Sequence, residues 1–236
     1  IQRKHDKPFF ISLMFNAPHW PWQAPGDGAY ADTADWRAGG SPAIYAAMVK
    51  SMDDAIGAIM KTLDEQGLAN NTIVIFTSDN GGERFSDMGI YRGRKMSLWE
   101  GGIRVPAIVR WPGHIQPNTT TDQVAITMDW TATIASIAKA KHSKLNGIDL
   151  TPILTGKKPA VQRTLYWRIF QRVKHKALRD GNWKYIQDEK GNEYLFDLVA
   201  DPFEKNDRKG NEPVVFQVLK EKYAAWEATM LKPIPL

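Results

Sequence analysis

The sequence predicts an α/β chain in two parts: a mostly parallel sheet with flanking helices, then a small antiparallel sheet with one helix. Three patterns predict this. Continuously apolar runs of strand length, at residues 9–15 and 72–77, flank a long amphipathic helix, and that order makes a βαβ-like unit with a right-handed crossover. From Thr155-Gly156-Lys157-Lys158-Pro159 onward, short strands alternate with hairpin-type turns. A single amphipathic helix closes the chain. Residues 1–158 are therefore expected to form the α/β part and 159–236 the antiparallel subdomain.

Each element has a local reason. Phe9-Phe10-Ile11-Ser12-Leu13-Met14-Phe15 reads as a strand covered on both faces. It stops where Pro18, Pro21 and Pro25 forbid continuation as strand or helix. Ser41-Pro42 supplies an N-cap and a first helical residue. Tyr45, Met48, Met52, Ile56, Ile59, Met60 and Leu63 then form one stripe at helical spacing, ended by Gly67. Asn70-Asn71 turns into the strand Thr72 to Thr77, and Val105 to Trp111 reads as a further strand with Pro106 at its start or on an edge. Asp129 to Ala140 is expected to be helical with Ile134, Ile137 and Ala138 inward. Strands are expected at 165–170, 174–179, 183–187 and 194–198, with turn signals at Asp180-Gly181 and Lys190-Gly191-Asn192. Val215, Val218, Leu219, Lys222, Trp226 and Met230 mark the last helix, amphipathic and expected to cover one face of that small sheet.

With 236 residues and 43% hydrophobic content, the chain can bury a real core. It has no cysteine, which excludes disulfides and thiolate metal ligands within this stretch. No apolar run approaches the ~20 residues of a membrane helix, so no membrane span is expected. The chain opens on Ile1-Gln2-Arg3-Lys4-His5-Asp6-Lys7, without Met and without a signal peptide, and reads as a fragment or processed product. The net charge of +5 favours an anionic substrate, sulfated or phosphorylated. Lys and Arg are scattered and no nucleic-acid motif occurs, so no nucleic-acid partner is expected.

In open parallel α/β sheets, ligands bind beyond the carboxyl ends of strands. Two expected strands end there in polar groups: one leads to His19, the other to Asp79-Asn80. A carboxylate beside a carboxamide oxygen is a hard donor pair suited to Ca²⁺ or Mg²⁺. Gly81-Gly82 lets the backbone turn sharply, and Arg92, Arg94 and Lys95 bring three cations near one rim. Taken alone, Asp79-Asn80-Gly81-Gly82 reads equally well as a turn. Asp53-Asp54 is no substitute metal site, since adjacent helical residues point about 100° apart and a solvated face explains them.

The segments "PFFISLMFNAPHWPWQAP", "NNTIVIFTSDNGGE", "YRGRKMSLWEGGIRVPAIVRWPGHI", "NGIDLTPILTG" and "LRDGNWKYI…EYLFDLVADPFEKND" closely resemble the type I sulfatases. They are similar, in order, to the C-terminal half of arylsulfatases and N-acetylgalactosamine-6-sulfatases. The resemblance implies an alkaline-phosphatase-like fold, a Ca²⁺ site (Mg²⁺ as the alternative) and sulfate-ester hydrolysis by a formylglycine nucleophile. It implies that Asp79 and Asn80 ligate calcium, that His19 contacts the sulfate near the leaving oxygen, and that Lys95 binds a sulfate oxygen. Arg92 and Arg94 could share the role of Lys95. Arg168, Arg172 and His175 are candidates for substrate specificity in the small subdomain, against a plain exposed basic strand.

Two departures stand out. Met96-Ser97-Leu98 follow Lys95 where the family carries small residues. The nucleophile motif C/S-x-P-S-R is absent, as are the paired aspartates and the lysine and histidine that complete the sulfate pocket. The expectation is a missing N-terminal segment of the same protein that carries a Cys- or Ser-derived formylglycine. The substrate expected is a sulfated carbohydrate or aryl ester, and the location periplasmic or secreted. The alternatives are a phosphodiesterase or phosphonate hydrolase of the same superfamily, or an incomplete fragment inactive by itself. Glu100 and Arg104 are expected to form a structural ion pair, His5, His114 and His142 to be solvated, and Trp20, Trp22 and Gln23 to line a sugar rim or pack.

Overall fold

The computed structural model describes residues 7–28, 39–170 and 173–233. His5 and Arg172 lie outside them. The described residues divide into two compact units: those up to Val74 with Arg110–Gly113, and Ile75–Val109 with the residues from His114 on.

The first unit is built on α1 (Pro42–Glu65). Ser41 stays extended and its hydroxyl accepts from Ile44 N, which satisfies one orphan donor of the first turn. Met48 and Leu63 are buried along the apolar stripe. The helix ends in a Schellman turn: Leu68 N–H donates to Leu63 O and Gly67 N–H to Asp64 O, with Gly67 at φ +66°. Asp53 and Asp54 are exposed, and Lys50 pairs with Asp54 along the helix.

The expected strand at 9–15 does not form among the described residues. The segment carries no strand assignment, with Phe10 72% and Met14 88% exposed. An apolar run becomes a strand only when a neighbour takes its backbone N–H and C=O groups, and none of the described strands pairs with it.

The second unit carries β1 (Val74–Thr77) and β2 (Ala107–Arg110), apart from Val74 and Arg110 at their ends, which fall in the first, and the two strands pair in a two-stranded sheet. Between them lies the short α2 (Glu100–Ile103). Next come α3 (Thr127–Ile137) and α4 (Thr151–Leu154). The inward face of α3 is centred to one side of the expected one: Asp129, Ala132 and Thr133 are buried, Ile134 and Ile137 half-buried, and Ala138 is the exposed C-cap. Polar anchoring sets that face. The Asp129 carboxylate accepts from Ile126 N (2.7 Å) and Ile148 N (2.9 Å) and pairs with Arg163, while Thr133 Oγ1 accepts from Leu150 N.

β3 (Thr164–Phe170), β4 (Lys174–Asp180), β5 (Trp183–Gln187) and β6 (Glu193–Asp197) form an antiparallel meander in chain order. Period-2 alternation gives the sheet two faces. Leu178, Tyr185 and Leu195 pack against Leu219 and Tyr223 of α5 (Pro213–Ala228). Ala177, Ile186 and Phe196 on the other face pack against Leu98 and Trp99. The small sheet therefore covers the loop that leads into α2.

Candidate active site

β1 delivers Ser78-Asp79-Asn80 at its carboxyl end. Asp79 is exposed, and its Oδ1 accepts from Asn80 N at 2.9 Å. Ser78 Oγ donates to Asn80 O at 3.0 Å. These local bonds close the turn.

Glycines then join this turn to the cationic loop. Gly81 N–H donates to Gly102 O (2.9 Å), Gly101 N–H to Arg92 O (2.7 Å) and Lys95 N–H to Gly82 O (2.9 Å). The backbones are so close that a Cβ on Gly81 would stand 1.8 Å from Gly101 O, and one on Gly101 2.4 Å from Gly93 O. Main-chain contact alone thus fixes Asp79-Asn80 beside the turn that bears Lys95. Within that turn Ser97 Oγ donates to Arg94 O (2.7 Å) and accepts from Arg94 N, and Met96 adopts φ +69°.

The remaining expected site residues are placed differently. Arg92 lays its guanidinium 3.6 Å above the Trp99 ring and donates to Glu204 O. It braces the loop. His175 is 2% exposed, not on an open basic strand: its place in β4 turns it to the face shared with Ala177, against Leu98 and Trp99. Its Nδ1 meets Leu98 N at 3.1 Å and its Nε2 meets Glu189 Oε2 at 2.6 Å. His19 lies in the first unit, exposed, with Nδ1 2.7 Å from Trp20 O. A carbonyl only accepts, so Nδ1 carries a proton and Nε2 is the outward nitrogen. Nearby Trp22 is buried.

The loop also stands on an ion cluster that sequence reasoning missed. Lys184, fully buried, lies 2.8 Å from both Glu100 Oε1 and Glu204 Oε1. The Glu204 contact is ionic, off the hydrogen-bond axis. Glu204 Oε2 accepts from Glu100 N at 2.7 Å. The expected Glu100–Arg104 pair exists but is loose at 3.9 Å, because Lys184 takes the carboxylate first. A usable signal was present: Lys184 shares the inward face of β5 with Ile186, so a cation there requires a buried partner.

Asp79 and Asn80 offer hard oxygens that fit Ca²⁺ or Mg²⁺, but Ca²⁺ takes about six to eight such ligands. Among the described residues no group of three or more His, Cys, Asp or Glu could hold a metal ion. These two residues can therefore fill only part of a shell.

Two hard oxygen donors and a lysine thus stand on adjacent turns at a strand end, joined through main-chain bonds. Residues 1–140 match the Sulfatase family, and residues 87–227 match the family described as N-sulphoglucosamine sulphohydrolase, C-terminal. The chain belongs to the sulfatase family. It is 34% identical over 210 residues to human arylsulfatase A, covering 85% of this chain and 39% of that protein. It is 38% identical over 169 residues to rat steryl-sulfatase, covering 66% and 28%. It is 34% identical over 212 residues to N-acetylgalactosamine-6-O-sulfatase of Bacteroides thetaiotaomicron, covering 74% and 40%. Among solved structures, Ps i-CgsB in complex with k-i-k-neocarrahexaose superposes with TM-score 0.83 at 25% identity, over 94% of this chain and 50% of that one. A Bacteroides thetaiotaomicron protein of glycosaminoglycan metabolism, BT33336S-sulf, gives 0.67 at 32% identity, over 78% and 45%. The chain thus spans well under half the length of these curated relatives. No helix among the described residues is long and apolar enough to cross a membrane.

Proposed function

We propose that the protein carrying this chain is a periplasmic or secreted sulfuric ester hydrolase acting on a sulfated carbohydrate or aryl ester. The observation that carries this reading is the backbone bond from Lys95 N to Gly82 O, which holds the lysine turn against the Asp79-Asn80 turn. The likeness to relatives named arylsulfatase A and N-acetylgalactosamine-6-O-sulfatase supports both substrate classes. Residues 1–158 are read as the C-terminal portion of the α/β domain, and 159–236 as its antiparallel subdomain.

Asp79 and Asn80 would hold Ca²⁺, or Mg²⁺, together with ligands from outside residues 1–236. The Lys95 ammonium would bind a non-bridging sulfate oxygen, where charge accumulates during S–O cleavage. His19, its Nδ1–H tied to Trp20 O, would carry a proton on Nε2 to the leaving oxygen. Arg92 and His175 act behind the site, on the loop. A formylglycine from a Cys or Ser outside this chain would supply the nucleophilic oxygen. Residues 1–236 alone are accordingly expected to be inactive.

The test is Asp79→Ala in the complete protein. Loss of bound calcium and of p-nitrophenyl sulfate turnover is expected, and full arylsulfatase activity would overturn the assignment. Phosphate or phosphonate esters turned over faster by orders of magnitude would instead make it a phosphoesterase of the same fold.

A further inference from the structure

We propose that His175 is a positioning residue for the Lys95 turn, acting as a neutral imidazole with its proton on Nε2. The proposal rests on the reading of Lys95 as an anion-binding group.

The tautomer follows from the partners. Leu98 N–H can only donate, so Nδ1, 3.1 Å away, must present a lone pair. The ring proton then sits on Nε2, where Glu189 Oε2 accepts at 2.6 Å. Protonating both nitrogens would set two donors against each other at Leu98.

The geometry links this bond to Lys95. Leu98 immediately follows the turn closed between Arg94 and Ser97, so its amide is the C-terminal anchor of that turn. The other anchor is Lys95 N–H on Gly82 O. Trp99 completes the seat: its ring meets the His175 ring edge-on at 6.4 Å and 89°, while Arg92 covers its face. His175 itself is held in β4, paired with Ile169 of β3. The small sheet thereby transmits its rigidity to a lysine that belongs to a loop. Removing Nδ1 leaves the buried Leu98 N–H without an acceptor and frees one end of the turn.

Three measurements on the complete protein test this. With ¹⁵N-labelled histidine, long-range ¹H–¹⁵N spectra should show His175 protonated at Nε2 and bare at Nδ1. The signal is assigned by its loss in His175→Asn or, should that variant not fold, by its shift in Glu189→Gln. A proton on Nδ1 overturns the proposal. In kinetics, His175→Gln should raise KM for p-nitrophenyl sulfate by about tenfold, the scale of one lost interaction. His175→Asn, whose amide oxygen can reach the Nδ1 position, should recover most of that. A variant that merely folded less completely would lower kcat at unchanged KM, and that result also overturns the proposal. In a Lys95→Arg background, His175→Gln should cost less than in the parent, because both act on one turn. Equal costs in the two backgrounds contradict it. Parental kinetics in Lys95→Ala would remove the anion-binding reading itself. Loss in Lys95→Ala with parental kinetics in His175→Gln would overturn only the positioning role.

Discussion

Glu204 accepts the backbone N–H of Glu100 at 2.7 Å and so caps the first turn of α2 from the loop that follows β6. Its other oxygen shares Lys184 with the Glu100 side chain. Three buried ionisable side chains and one buried amide thereby meet, with Glu204 Oε1 in ionic contact only, where the small sheet meets the loop carrying Lys95.

Lys184→Met should therefore be severely destabilising. It leaves two buried carboxylates facing each other without a cation, and breaking a buried pair from one side costs about 3–5 kcal/mol. Denaturant unfolding of the complete protein measures it. A loss of less than about 1 kcal/mol, the value of an exposed pair, would show that the cluster is solvated.

The same cluster has a pH signature. Burial pushes the Glu204 carboxyl above its ordinary value of 4.5, and Lys184 with the Glu100 amide offsets only part of that. The folded state then holds this proton more tightly than the unfolded one. The resulting stability is complete below 4.5 and is lost as pH rises through the raised folded value. Melting temperatures of the parent and Glu204→Gln, followed upward from pH 4, should show the parent losing ground to the variant. Asp188 works in the opposite sense. Burial raises it, but bonds from Asn192, the Lys190 amide and the Tyr194 hydroxyl outweigh burial and hold it low, so its contribution disappears as pH falls.

Gly101→Ala should strain the site. Its Cβ would meet Gly93 O at 2.4 Å, and overpacking of this kind costs roughly 1–3 kcal/mol. Gly57→Ala is the matched control, since that helical glycine has nothing within 4 Å of a built Cβ. It should stabilise by about 0.5–1 kcal/mol. Thermal melts that rank the two variants the other way would refute the crowding.

Asp129→Ala should cost about 3–5 kcal/mol, because it strands Arg163 and two backbone amides in the interior. Urea unfolding reads it directly. A midpoint equal to the parent's would mean that water replaces the carboxylate.

Much of this was legible in the chain. Ser41, Gly67 and the apolar stripe between them define α1, because caps and period act within one segment. The four strands of the small sheet were legible too, since hairpin turns fix their neighbours locally. Residues 9–15 were not, because an apolar run carries no information about which backbone pairs with it. The face of α3 was misread for a related reason: Asp129 is buried by partners at 148 and 163, which no helical period reveals. Asp79, Asn80 and Lys95 were singled out by motif, and the structure joins their turns through main-chain bonds. The supports of their loop, His175, Lys184 and Glu204, are contacts across 77 to 104 positions and became visible only in space.

The glycine contacts have one more consequence. Gly81, Gly82, Lys95, Gly101 and Gly102 meet through main-chain atoms, which every residue type possesses. The excursion from 83 to 91 leaves and re-enters a frame whose two ends are already tied. Within it, Ser86 and Met88 crowd Gly82 so closely that a Cβ there would meet them at 2.3 and 2.4 Å, so the excursion folds back onto the frame it leaves. Substitution of Gly82 would therefore disturb the excursion and the lysine turn together, although the two are separate stretches of chain.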